Sequence, residues 1–160
     1  MTMAPAWILP LNETTAVSVG EFELVHTLTD LPSLFSIPKA PYYCQHVMLW
    51  QNNIVPVMNL AARFLPISSY TESDYENDIH RLGALSIFAY QSEQTKQIDY
   101  GALLLHSVPQ HCEVRDSQQC ELPADLVSWK YYFTSCFQVP NSHKVIPILC
   151  LERLFGIPSR

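Results

Sequence analysis

Apolar residues along this chain fall at alternating positions or in short unbroken runs bounded by Pro, Asn and Ser, which is the signature of β-strands rather than of long helices. Val17-Ser18-Val19 and Phe22-Glu23-Leu24 alternate, so one face of each is buried and the other wet. The pattern predicts strands at Trp7 to Leu11, Ala16 to Thr27, Val47 to Leu49, Val55 to Met58, Ala84 to Tyr90, Tyr100 to His106, Tyr131 to Phe137 and Val145 to Cys150. Turn chemistry separates them: Asn12 to Thr15, Asn52-Asn53 and Pro140-Asn141-Ser142 all carry residues that accept left-handed backbone or pre-set a turn. Twelve Pro against four Gly, scattered through the chain, leave little room for a long helix.

One pattern occurs twice. Ile54-Val55-Pro56-Val57-Met58-Asn59-Leu60 leads to Phe64, and Val145-Ile146-Pro147-Ile148-Leu149-Cys150-Leu151 leads to Phe155. Pro56 aligns with Pro147, Leu60 with Leu151 and Phe64 with Phe155, at a constant offset of 91. In each copy a β-branched run around a Pro gives way to Leu and Phe at helical spacing, which predicts a strand running into a short helical turn. The missing N–H of each Pro is tolerated at an edge or a bulge. Between the copies, Ser68 to Asp78 gathers most of the local acidity without an apolar period and reads as an exposed connector. The expectation is a single domain spanning residues 1–160, built as two lobes of one plan and divided near this connector.

Composition narrows the function. Hydrophobic residues make up 48% of the 160 positions and charged residues 15%, well under the roughly 25% of ordinary soluble domains, so the surface is sparsely charged and suited to protein partners. The net charge is -6, and nine Lys and Arg form no basic run, which argues against nucleic acid. No stretch reaches the roughly 20 apolar residues that span a bilayer, and Met1 to Leu11 lacks a basic leader, so a cytoplasmic protein without membrane insertion is expected. Five cysteines, Cys44, Cys112, Cys120, Cys136 and Cys150, are odd in number and sit mostly in apolar runs, which favours reduced, core-filling thiols.

Catalytic and cofactor chemistry finds little support. His106, His111, Cys112 and Cys120 are the densest group of potential ligands, yet they lack the close pairing of a zinc site, and the adjacent His111 and Cys112 point apart in an extended chain. A Cys nucleophile with a His partner has no strand-to-helix elbow or Gly-rich frame here, and four isolated glycines make no phosphate loop. No enzyme activity, catalytic residue, metal site or cofactor is expected. A small Cys- and His-dependent enzyme or metal-binding domain, using His106, His111 and Cys112, is the rival reading. Binding is better supported: the loop Gln51-Asn52-Asn53 offers uncharged hydrogen-bonding groups beside Trp50 and Ile54, a mixture found at interface centres. An ordinary hairpin turn would favour the same asparagines.

The order of these segments resembles the CheW-like family of chemotaxis coupling proteins. Val47-Met48-Leu49-Trp50-Gln51-Asn52-Asn53-Ile54-Val55-Pro56-Val57-Met58-Asn59-Leu60 is similar to its signature hairpin. Ala40-Pro41-Tyr42-Tyr43 resembles the approach to that strand, Ala84 to Tyr90 with Tyr100 to Val108 the following hairpin, and Trp129 to Phe155 the closing segment. The resemblance covers about residues 7 to 155. It implies a mainly β fold of two small SH3-like five-stranded β-barrel lobes with short helices. It also implies an adaptor coupling a CheA-like histidine kinase, through its regulatory domain, to the cytoplasmic tip of a chemoreceptor. By that resemblance the partner-binding residues are Val25, Trp50, Gln51, Asn52, Asn53, Ile54 and Pro56, facing Ala84 and Leu85 across a groove.

The chain also departs from the family pattern. Gln51-Asn52 stands where the family has Arg-Gly, so a fixed charge and its forked donors are absent. Asn59, His106 and Cys150 stand where it has Asp. Such a divergent member resembles the accessory adaptors found beside a main one, including those of type IV pilus twitching systems.

Overall fold

In a computed structural model, residues 3–64 and 83–156 are described. The strands are β1 (Met3–Pro10), β2 (Ala16–Gly20), β3 (Leu24–Leu28), β4 (Phe35–Ser36), β5 (His46–Trp50), β6 (Asn53–Met58), β7 (Ala84–Gln91), β8 (Ile98–Leu105), β9 (Gln110–Arg115), β10 (Phe133–Gln138) and β11 (Val145–Leu149). Two five-residue helices, α1 (Leu60–Phe64) and α2 (Leu151–Phe155), follow β6 and β11. The chain is mainly β, as the alternation predicts.

The strands form two mixed sheets, one in the order β10-β11-β2-β1-β9 and the other β3-β7-β8-β6-β5-β4. Apart from the two-residue β4 they share one plan. In the first, β11 is antiparallel to β10 and parallel to β2, and β2-β1-β9 continue antiparallel. In the second, β6 is antiparallel to β5 and parallel to β8, and β8-β7-β3 continue antiparallel. The two Pro-containing strands thus occupy matching places, each running into its helix.

The chain crosses between the sheets at other points than the sequence suggests. The acidic connector at 68–78 lies outside the described residues, but β6 before it and β7 after it belong to the same sheet. Instead the chain leaves the first sheet after β2 and returns to it at β9. The run Ala16 to Thr27, expected as one strand, is split by a 3-10 turn at Glu21–Glu23, where the Glu23 carboxylate accepts the Gly20 N–H at 2.8 Å and turns the chain toward the second sheet. Burial holds the Glu23 pKa above the ordinary range, against the lowering effect of that bond. Strand β9 was missed because its polar residues alternate without a strong apolar face, and the 3-10 segment Ala124–Tyr132 has no helical period.

A shared core lies between the sheets: Leu9, Val17 and Val19 of one meet Phe88, Leu103 and Leu105 of the other. Both helices feed it, through Leu60 and Phe64 and through Leu151 and Leu154. Burying each such side chain contributes about 2 kcal/mol, which makes this core the main bond between the two sheets. Arg63 adds a second tie. Its guanidinium lies 4.8 Å from the Tyr43 ring centre and 4.4 Å from that of Tyr132, and donates to the Tyr132 hydroxyl at 2.6 Å.

Candidate functional site

The β5–β6 hairpin closes through the two-residue turn Gln51-Asn52, with Trp50 paired to Asn53. Gln51 has φ 46° and Asn52 φ 66°, the double left-handed backbone whose twist suits a tight hairpin. Asn accepts this backbone readily, and Asn52 stands where the resemblance places Gly. Asn53 steadies the turn by donating from its amide to the Gln51 carbonyl at 3.2 Å.

That register decides which residues face outward. Leu49 is opposite Ile54, Val47 is opposite Pro56, and Phe35 of β4 is opposite Val47. Directly paired residues share a face, so these five form one apolar stripe across β4, β5 and β6. Leu49 is 63% exposed, Ile54 73% and Phe35 52%. The opposite face of the hairpin, carrying Met48 and Val55, closes on the sheet's own core with Val57, Leu85, Ile87 and Leu104. The exposed stripe therefore rests on a packed base.

Beside Ile54 and Pro56 the surface dips into a hollow bordered by Ile98, Asp99 and Phe155. Phe155 of α2 stacks on Tyr90 with ring centres 6.1 Å apart and covers Gly101, where a Cβ would lie 2.5 Å from the ring. Burial first, and then Asp99 and Glu152, push the Tyr90 pKa up to about 12, so its hydroxyl stays neutral. No charged side chain belongs to the stripe itself.

The predicted site residues divide into three groups. Ile54, Asn53, Gln51, Asn52 and Pro56 lie together at the hairpin, with all but the half-buried Pro56 exposed. Val25, 44% exposed, is the bulged residue of β3, next to His26, whose ring stacks on Trp50 at 5.2 Å. Trp50 itself is only half-buried, but its Nε1 is buried and has no hydrogen-bond partner among the described residues. Ala84 and Leu85 do not join them: they are 5% and 1% exposed, Ala84 in the core between the sheets and Leu85 inside the second sheet. The expected groove wall there is core, because β7 is buried on both faces from Ala84 to Phe88. Leu49 and Phe35 were missed. Leu49 could have been found by laying the two-residue turn onto the sequence, which places it opposite Ile54.

The rival Cys and His group does not converge. His111 lies 3.2 Å from the Glu21 carboxylate and packs edge-on to Trp7, while burial raises the Cys112 pKa. Among the described residues, no three His, Cys, Asp or Glu side chains are grouped to hold a metal ion, and no helix is long and apolar enough to cross a membrane.

No protein-family model matches the sequence, and no curated protein does. The fold is nonetheless similar to a solved one, the scaffolding protein TtCheW from Thermoanaerobacter tengcongensis. The two share 15% identity with a TM-score of 0.67, over 98% of this chain and 90% of that one. The fold is CheW-like, and the low identity fits a divergent sequence.

Proposed function

We propose that this CheW-like chain is a non-enzymatic scaffold of chemosensory signal transduction, which seats partner proteins on the outer face of β4, β5 and β6. The observation that carries the reading is the uncharged stripe of Leu49, Ile54 and Phe35, exposed on the β5–β6 hairpin and the β4 strand paired to it. Exposed apolar groups flanked by hydrogen-bonding side chains, here Gln51 and Asn53, are what interface centres are made of. The similarity in fold to a protein that is itself a scaffold adds support. The partners of this reading are the regulatory domain of a CheA-like histidine kinase and the cytoplasmic tip of a chemoreceptor, met in the cytoplasm at membrane receptor arrays. Whether the output is flagellar or twitching motility follows from which kinase and receptor it joins.

The test is titration calorimetry with the purified kinase regulatory domain and receptor tip from the same source. Ile54→Asp and Leu49→Asp should each weaken capture by about 2 kcal/mol or more, with the melting temperature unchanged because both side chains are exposed. Unaltered affinity for every partner in both variants would remove the stripe from the interface. Gln51→Arg restores the family's charge and should strengthen binding to a partner that carries a carboxylate there, by an amount that shrinks with salt.

A further inference from the structure

Outside the apolar stripe, the two thiols at the edge of the first sheet are placed for chemistry of their own. Cys120 follows an isolated antiparallel bridge between Gln119 and Phe137, and its N–H donates to the Cys136 carbonyl at 3.2 Å. The two residues are therefore direct cross-strand neighbours, although they stand 16 positions apart. Their sulfurs are 3.7 Å apart, and the Cys136 thiol donates to the Cys120 carbonyl at 2.7 Å. Neighbouring residues across an antiparallel pair have Cα atoms about 5.5 Å apart, within the range a disulfide bridges without moving the backbone.

We propose that Cys120 and Cys136 are an oxidative modification site, closing to a reversible disulfide under hydroperoxides. Cys120 is half-buried and takes the oxidant, while Cys136, 3% exposed, is the resolving thiol. The Cys120 thiolate attacks the peroxide, the O–O bond breaks, and a sulfenic acid and hydroxide form. The Cys136 sulfur then loses its proton and displaces hydroxide from the sulfenyl sulfur, forming the S–S bond. Overall two thiols are oxidised, one hydrogen peroxide is reduced and two waters leave. Its burial keeps Cys136 from meeting the oxidant first, and burial, followed by the hydrogen bond and charge of Cys120, also pushes its thiol pKa up. Asp116, Gln119 and Cys136 border a cavity of about 330 Å3 inside the first sheet, so the cross-link fixes one side of its rim.

The experiment treats the full chain with hydrogen peroxide at neutral pH, blocks remaining thiols with N-ethylmaleimide, and reads intact mass and peptide maps. The expected product has lost two hydrogens, keeps Cys44, Cys112 and Cys150 as free thiols, and joins the peptides holding Cys120 and Cys136. Dithiothreitol should reverse it, and the oxidised chain should melt at a higher temperature than the reduced one. Cys120→Ser should abolish the product, whereas Cys44→Ser, Cys112→Ser and Cys150→Ser, made singly, should leave it intact. Five blockable thiols after treatment, a Cys120 carried on to sulfinic acid, or a cross-link through another cysteine or between chains would each overturn the proposal.

Discussion

The two sheets share a strand plan and differ in how they are filled. Inside the second, Met48, Val55, Val57, Leu85, Ile87 and Leu104 pack into a core of their own. The matching face of the first carries Ala6, Ala16, Ser18, Phe137 and Ile146, which are buried but smaller on average and belong to neither core cluster. Register makes the contrast specific. Val57 faces Ala102 across the parallel pair of one sheet, and Ile148 faces Ser18 across that of the other. Ala102 joins a packed core, while Ser18 is buried with its hydroxyl unpartnered among the described residues, on the face that borders the cavity. The same plan thus yields one sheet stabilised from within and one that depends on the core it shares with its neighbour. The well-filled sheet is also the one that presents the apolar stripe.

The most direct way to break this comparison is to empty the same kind of site in both sheets. Ile87→Ala removes a side chain from the filled core and should cost about 2–5 kcal/mol in chemical denaturation. Ile146→Ala, equally buried but outside both core clusters, should lie at the low end of that range or below it. Equal losses would mean that the first sheet is as well packed as the second.

The helices give a smaller effect. Gly101→Ala places a methyl group against the Phe155 ring and should cost about 1–3 kcal/mol, with much of the loss recovered when Phe155→Ala is added. Without that recovery, the contact between α2 and β8 is not what limits the position.

The starts of the two helices differ in the same sense. Asn59 accepts the Ala62 N–H at 3.2 Å and caps α1, whereas Cys150 offers α2 no side-chain cap. Asn59→Ala should therefore lower stability by about 1 kcal/mol and Cys150→Asp should raise it by a similar amount, as read by thermal melting. The finest test uses two buried serines. Ser86 shares a 2.8 Å hydrogen bond with Thr27, so Ser86→Ala should cost about 1 kcal/mol, while Ser18→Ala should be neutral or stabilising because no bond is lost. A clear loss from Ser18→Ala would show that its hydroxyl has a partner.

Much of this was legible in the chain itself. Alternation and turn residues identified most strands, and the repeat of Pro, Leu and Phe at one offset located two strand-to-helix units that the fold sets in matching places. The turn after Trp50 was recognisable because Asn accepts left-handed backbone, although it closes at Gln51-Asn52, one position before the Asn52-Asn53 pair that signals it. These features are local: each depends on side chains within a few positions, and the sequence by itself determined them.

Tertiary structure alone decided the rest. The sequence pattern does not say with which sheet a strand pairs, so it could not reveal that β1 and β2 join β9 to β11 and that the acidic connector runs between elements of a single sheet. Nor does an apolar run say which of its faces is covered. Ala84 and Leu85 look as available as Leu49 and Ile54, and only the neighbouring strands bury the first two and leave the second two open. Burial and pairing belong to surfaces that meet across long separations in the chain, and those meetings are set by packing rather than by any residue's own preference.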